Sequence, residues 1–178
     1  MRILKHIDIL DEPADALIYS TNLQINCTGG VGACLVSRYG FKVQDELHAL
    51  RLERGHGFPR QGDVLQHVTK GMPYRKVFHT MPCDPWYDTS AEIVQNTLRC
   101  CLDECLEGKE VKKVAVTALA TGYGHLQIED FLRVADKVLN DDKYSAIGEI
   151  AICIADKFAF DHARQIVQNE NLRFVVVT

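Results

Sequence analysis

Apolar and polar positions change their period several times along the chain. "RILKHIDI" (residues 2–9) alternates, as a strand with one solvated face does, and "DALIYS" (15–20) is a short apolar run suited to a buried strand. From Gly30 to Tyr39 small and apolar residues recur at helical spacing, and Gly40 stands where a helix would stop. "KVQDELHALRLE" (42–53) is amphipathic, with Val43, Leu47 and Leu50 on one face. "ERGHGFPRQGD" (53–63) reads as a loop from its Gly and Pro content. "VLQHVTKGMPYRKVFHTMP" (64–82) predicts two strands joined by a turn at Gly71 to Pro73.

A second loop, "MPCDPWYDT", leads to a helix that Thr89 or Ser90 can cap. Ile93, Thr97, Cys101 and Cys105 mark one face of that helix, which runs to about Glu107 with Gly108 as its stop. "VKKVAVTALA" (111–120) is a buried strand, "TGYGHLQ" a Gly-containing loop and "IEDFLRVADKVLN" (128–140) a helix. "IGEIAICIA", "FDHARQIVQ" and "RFVVVT" then predict strand, short helix and terminal strand. Strands alternate with helices, without repeats or an obvious linker. The pattern predicts one α/β domain over residues 1–178, three-layered and built on a mainly parallel sheet.

Composition narrows the function classes. At 178 residues, with 47% apolar and 25% charged positions, the chain has the makings of an ordinary globular domain. A net charge of -4 and the lack of a basic run argue against direct nucleic-acid binding driven by charge. No apolar stretch is long enough to cross a bilayer, and charges interrupt the N-terminal apolar residues, so neither membrane nor signal peptide is expected. Seven cysteines, none in a CxxC pair, suggest reduced thiols and a cytoplasmic location. No ligand set for zinc stands out, so neither metal nor cofactor is expected.

In open α/β sheets ligands gather beyond the C-terminal ends of the strands. Two loops expected there carry glycine. In "TNLQINCTGG", Asn22 follows the strand and Gly29 and Gly30 open the helix. Glycine lets backbone N–H groups approach a ligand, and a helix N-terminus favours an anion. The segment is neither a P-loop nor a dinucleotide fingerprint. A tight turn closed by Asn22 fits it equally well. In "ATGYGHLQ", Gly122 and Gly124 flank Tyr123, a pattern that can wrap amides around a phosphate or simply make a turn.

Taken in order, "HIDILDEPADALIYSTN", "TGGVGACLVSRYG", "YRKVFHTMP" and "ALATGYGHLQIEDF" resemble the macro domain family of ADP-ribose-binding modules over nearly the whole chain. The resemblance implies a three-layer α/β/α sandwich with a mixed, mainly parallel central sheet. It implies binding of ADP-ribose or of a mono-ADP-ribosylated protein. By position, Asp8 matches the acid that accepts from the adenine amino group, as a carboxylate can, and Ile9 would touch the same base. Asn22 matches the contact to the distal ribose. Gly29, Gly30 and Val31 would surround the diphosphate and distal ribose on one side. Thr121, Gly122, Tyr123 and Gly124 would close from the other. Phe158 is the candidate to stack near adenine, with Phe160 its rival.

Departures from the family pattern concern activity. Cys27 and Thr28 fill positions where relatives commonly have glycine, and Gly32 stands where ester-hydrolysing branches place an Asp. The second loop offers His125 where another branch has an acid. Two readings stand: a module that binds without turnover, and a slow ADP-ribosyl-ester hydrolase. In the second, Asn22 would position a water and His125 would act as acid or base. Cys27 as a thiol nucleophile at a helix N-terminus is a further possibility.

Overall fold

The structure, a computed structural model, describes residues 1–53, 59–107 and 110–178. Seven strands form one sheet: β1 (Arg2–His6), β2 (Ala16–Ser20), β3 (Val64–Gln66), β4 (Lys76–Thr80), β5 (Lys113–Thr117), β6 (Glu149–Ile154) and β7 (Val175–Val177). Their order is β3-β4-β2-β5-β6-β1-β7. The β3–β4 pair is antiparallel and every other pair is parallel. The helices are α1 (Gly30–Tyr39), α2 (Lys42–Glu53), α3 (Ala91–Leu106), α4 (Ile128–Leu139) and α5 (Lys157–Asn169).

Side-chain alternation along the strands divides the interior into two cores. Ala16, Ile18, Val114, Val116, Ile150 and Ile152 face α3, α4 and α5. Leu17, Tyr19, Ala115, Ala151 and Cys153 face the α1–α2 side, where Leu35, Val43 and Leu47 pack on them. A strand covered on both faces must be apolar at successive positions, so Ala16 to Tyr19 are all buried. The α/β/α sandwich is thus the expected one.

Most elements lie where the periodicity places them, and the departures have local causes. The strand predicted over 2–9 ends at His6, because the Asp8 carboxylate accepts from the Leu10 N–H at 2.9 Å and turns Ile9–Asp11 into a short 3-10 helix. The helix predicted from Phe160 begins at Lys157, since Asp156 caps the Ala159 N–H at 2.8 Å. Ser90 rather than Thr89 caps α3; its hydroxyl accepts from the Ile93 N–H, while Thr89 donates to the Pro82 carbonyl at 2.6 Å. Gly40, at φ 89, stops α1 as anticipated. The predicted stop at Gly108 and residues 54–58 of the predicted loop lie outside the described residues.

β2 and β4 are tied by a buried polar pair. The Nε2 of His79 faces the His67 carbonyl at 3.2 Å, so that nitrogen carries the proton and Nδ1 accepts from the Tyr19 hydroxyl at 2.5 Å. Complete burial lowers the His79 pKa to about 4. An imidazole depressed below its unfolded value of 6.5 stabilises the fold above that pH, and the contribution disappears as pH falls toward 4. The loss amounts to roughly 3 kcal/mol. Urea unfolding measured from pH 7 to pH 4 should show this decline, and His79→Gln should flatten it while lowering stability at pH 7.

Candidate functional site

Because the strands flanking β2 run parallel to it, their following loops emerge at one edge of the sheet. Ser20 is level with Thr80, Thr117 with Cys153, and His6 with Ile154. From β2 the chain turns to α1 on one face, whereas β4, β5 and β6 feed α3, α4 and α5 on the other. The chain therefore parts to opposite faces beside the C-terminal end of β2. In a sheet of this kind that is where a crevice opens.

The β2–α1 loop is closed on itself. The Asn22 carboxamide accepts from the Asn26 N–H at 3.0 Å and donates to the Asn26 carbonyl at 2.9 Å. One amide hydrogen and one oxygen lone pair are left for anything else. α2 stitches the loop from outside: Gln44 accepts from the Cys27 N–H at 2.6 Å and donates to the Ile25 carbonyl at 2.8 Å. His48 meets the Asn26 side chain at 3.0 Å. Gln44 and His48 were missed by sequence reasoning, although polar residues four apart on an amphipathic helix signal a shared face.

Gly29 and Gly30 lead into α1, with Gly30 at φ 52 and open space where its side chain would be. Val31 is half-buried against the α1–α2 core. Cys27 is buried beside Tyr19, and burial pushes its thiol pKa up. That environment suppresses the thiolate a nucleophile needs.

The β5–α4 loop leans on its neighbour. A Cβ built on Gly29 would lie 2.9 Å from the Tyr123 hydroxyl and 3.2 Å from its ring, so the tyrosine edge rests on the first loop. The Ala120 N–H donates to the Ser20 hydroxyl at 3.1 Å, a further bond between β2 and this loop. Ala120 adopts φ 62, and the Thr121 hydroxyl donates to the Ala118 carbonyl at 2.9 Å. Gly122 faces open space. Gly124 does not: a Cβ there would come within 2.3 Å of the Ala120 carbonyl oxygen and 2.7 Å of the Cys83 sulfur.

On the other flank, Asp8 follows β1 and residues 155–158 follow β6, its hydrogen-bonded neighbour. Asp8 is half-buried and Phe158, on the first turn of α5, is 86% exposed. Phe160 is buried and stacks on the His6 ring at 5.1 Å, so of the two phenylalanines only Phe158 is accessible. The Ile9 side chain is buried in the core, which leaves its main chain for any contact. His125 is exposed, with Nδ1 at 2.8 Å from Asp88 and its backbone N–H on the Tyr87 carbonyl at 3.0 Å. Asp88 was likewise missed; an acid in a Pro-containing loop gives no sequence signal of its partner.

The two glycine loops thus meet at the C-terminal end of β2, at the switch point of an α/β/α sandwich. The chain belongs to the macro domain family, whose sequence profile matches residues 18–135. It is 30% identical over 158 residues to the macro domain-containing protein in sno 5'region of Streptomyces nogalater, covering 86% of this chain and 84% of that one. Among solved structures it is similar to a mutant of the Oceanobacillus iheyensis macrodomain with ADPR, at a TM-score of 0.78 and 16% identity, covering 94% of this chain and 92% of that one. The Trypanosoma brucei macrodomain in complex with ADP-ribose is also similar, at a TM-score of 0.73 and 17% identity, covering 93% and 68% of the two chains. Among the described residues, no helix is long and apolar enough to cross a membrane.

The two outer glycines of the second loop should respond differently to alanine. Gly124→Ala must displace the Ala120 carbonyl and is expected to cost about 1–3 kcal/mol. Gly122→Ala should stay within about 0.5 kcal/mol of the parent. Denaturant midpoints of the two variants, measured side by side, check the contrast.

Proposed function

We propose that the crevice binds ADP-ribose, free or attached to a protein. The observation that carries this reading is the contact of the Tyr123 edge with Gly29, which sets two amide-rich turns against each other at neighbouring strand ends. Such turns suit a diphosphate, since their N–H groups and the α1 N-terminus favour negative charge. Gly29, Gly30 and Val31 take one side of it, and Thr121, Gly122, Tyr123 and Gly124 the other. Asp8 accepts from the adenine amino group, the Ile9 main chain lies along the base, and Phe158 stacks on it. The remaining hydrogen and lone pair of Asn22 serve the distal ribose. Relatives solved with ADP-ribose support the ligand class.

Binding without turnover fits the first loop better than hydrolysis does. Gly32 lacks a carboxylate, and a Cβ at that position would lie 3.1 Å from the Cys27 Cα. The His125–Asp88 pair is the one observation that favours slow ester hydrolysis. Asp88 holds Nδ1 and leaves Nε2 of an exposed imidazole able to exchange a proton. Incubation with a mono-ADP-ribosylated protein, with release of ADP-ribose measured for the parent and for His125→Ala, decides between the readings. Release that the variant loses would establish turnover; no release leaves a binding module.

For binding itself, calorimetry with ADP-ribose should give micromolar affinity. Asp8→Asn keeps an oxygen for the Leu10 N–H but removes the charge toward adenine, and should weaken binding by about 1–3 kcal/mol with little loss of stability. Gly30→Glu should abolish binding by placing a negative side chain at the diphosphate. Full affinity in Gly30→Glu would remove the loop from the site.

A further inference from the structure

The turn from Asp84 to Asp88, between β4 and α3, holds large rings in solvent. Trp86 is 74% exposed, Tyr87 47% and Tyr123, from the adjoining loop, 72%. The Tyr87 and Tyr123 ring centroids lie 6.3 Å apart. Tyr87 and Tyr123 form an exposed aromatic pair with Trp86 next to it in the chain, and an exposed patch of this kind suits contact with another molecule.

Hydrogen bonds hold this turn firmly. One Asp84 carboxylate oxygen accepts from the N–H groups of Trp86 and Asp88, both at 2.9 Å. The Tyr87 N–H reaches the Asp84 carbonyl at 3.1 Å, and the Asp84 N–H reaches the Asp88 carbonyl at 3.0 Å. Gln61 adds a bond to the Asp88 carbonyl at 2.7 Å, and His125 bonds both Tyr87 and Asp88. Tyr87 is thereby kept at φ 67, a conformation that costs a non-glycine residue and persists only when its surroundings impose it.

Strand order places the turn. β4 lies beside β2 on the side away from β6 and β1. A ligand with its base at Asp8 and its diphosphate between the β2 and β5 loops therefore extends toward this turn. The far end of that ligand is where an attached polypeptide begins. The turn combines aromatic faces with the carboxylates of Asp84 and Asp88, and both attract a cation. A nucleic-acid strand would bring its phosphates against the same carboxylates.

We propose that Trp86, Tyr87 and Tyr123, with Asp84 and Asp88, form a shelf that docks the modified polypeptide by a lysine or arginine side chain flanking its ADP-ribosylated residue. The placement rests on the ADP-ribose reading. Trp86 is the single tryptophan of the chain, so its emission reports on the shelf directly. A mono-ADP-ribosylated peptide with Lys and Arg beside the modified residue should bind about fivefold more tightly than the same peptide with Ala there, and should shift Trp86 emission to the blue. By calorimetry, Trp86→Ala and Asp84→Asn should erase that preference and leave the affinity for free ADP-ribose unchanged. Equal affinity for the two peptides overturns the proposal, as does a loss of free ADP-ribose binding in Trp86→Ala. Tighter binding of an ADP-ribosylated oligonucleotide than of the basic peptide also overturns it. If free ADP-ribose does not bind the parent protein, the function reading fails separately. The shelf is then judged by the unmodified basic peptide, which at millimolar concentration must still shift Trp86 emission.

Discussion

The parting of the chain at β2 is the constraint on which the rest depends. β2 is hydrogen-bonded to β4 and β5, both parallel to it, yet it sends its following helix to the opposite face from theirs. Beyond the Thr21 N–H, which bonds the Thr80 carbonyl at 2.7 Å, the loops after these strands diverge and line the C-terminal edge of the sheet. The first N–H groups of α1 have no partner within the helix, which makes this edge receptive to an acceptor-rich ligand. The chemistry proposed for the crevice is in this sense a consequence of topology, with glycine allowing the loops to approach.

Those loops are stiff rather than loose. Among the described residues, Ile25, Tyr87, Ala120 and Asn171 are the non-glycine residues at positive φ, and the first three lie in the loops after β2, β4 and β5. Each costs on the order of 1–3 kcal/mol, and each is held by neighbouring hydrogen bonds. Ile25 is fixed by its N–H on the Asn22 carbonyl and by Gln44 on its own carbonyl. Ala120 is fixed by Ser20 and by the Leu126 N–H. Loops ordered in advance lose less freedom when a ligand arrives. An open depression of about 380 Å³ near Asp11, Glu12 and Asp15, at the N-terminal ends of β2 and β5, has no comparable preparation. Its acids already pair with Arg38, Lys5 and Arg75.

How much of this was legible in the sequence follows from the range of each interaction. Strands and helices repeat their chemistry over several residues, so "KVAVT" and "IEDFLRVADKVL" announced their elements. Boundaries set by single caps were missed at Asp8 and Asp156, because one carboxylate two or three residues from an N–H leaves no periodic trace. The glycine loops could be picked out, but not that Tyr123 lies on Gly29, a meeting of segments far apart in sequence. From the sequence, Asn22 was ambiguous between closing the turn and meeting a ligand. Its amide does close the loop, and that duty coexists with the one proposed for it. The partners of Cys27, Asn26 and His125 come from α2 and the β4–α3 turn, and only folding brings them together.

The glycine at position 32 illustrates how such long-range packing bears on activity. It sits in the first turn of α1, buried, with the Cys27 backbone and sulfur filling the space into which a side chain would project. Cys27 is itself held by Gln44 through its N–H and lies beside Tyr19, which bonds His79. Introducing a carboxylate at 32 would therefore meet backbone at 3.1 Å rather than a flexible tip. It would also bury a charge beside a thiol that offers it little. Removing the cysteine side chain leaves that backbone where it is, so Cys27 would have to give by a few tenths of an ångström, against its hydrogen bond with Gln44. Glycine at 32 is thus matched to how this loop packs. A first loop packed this way supports the proposed binding role, which needs no carboxylate at position 32.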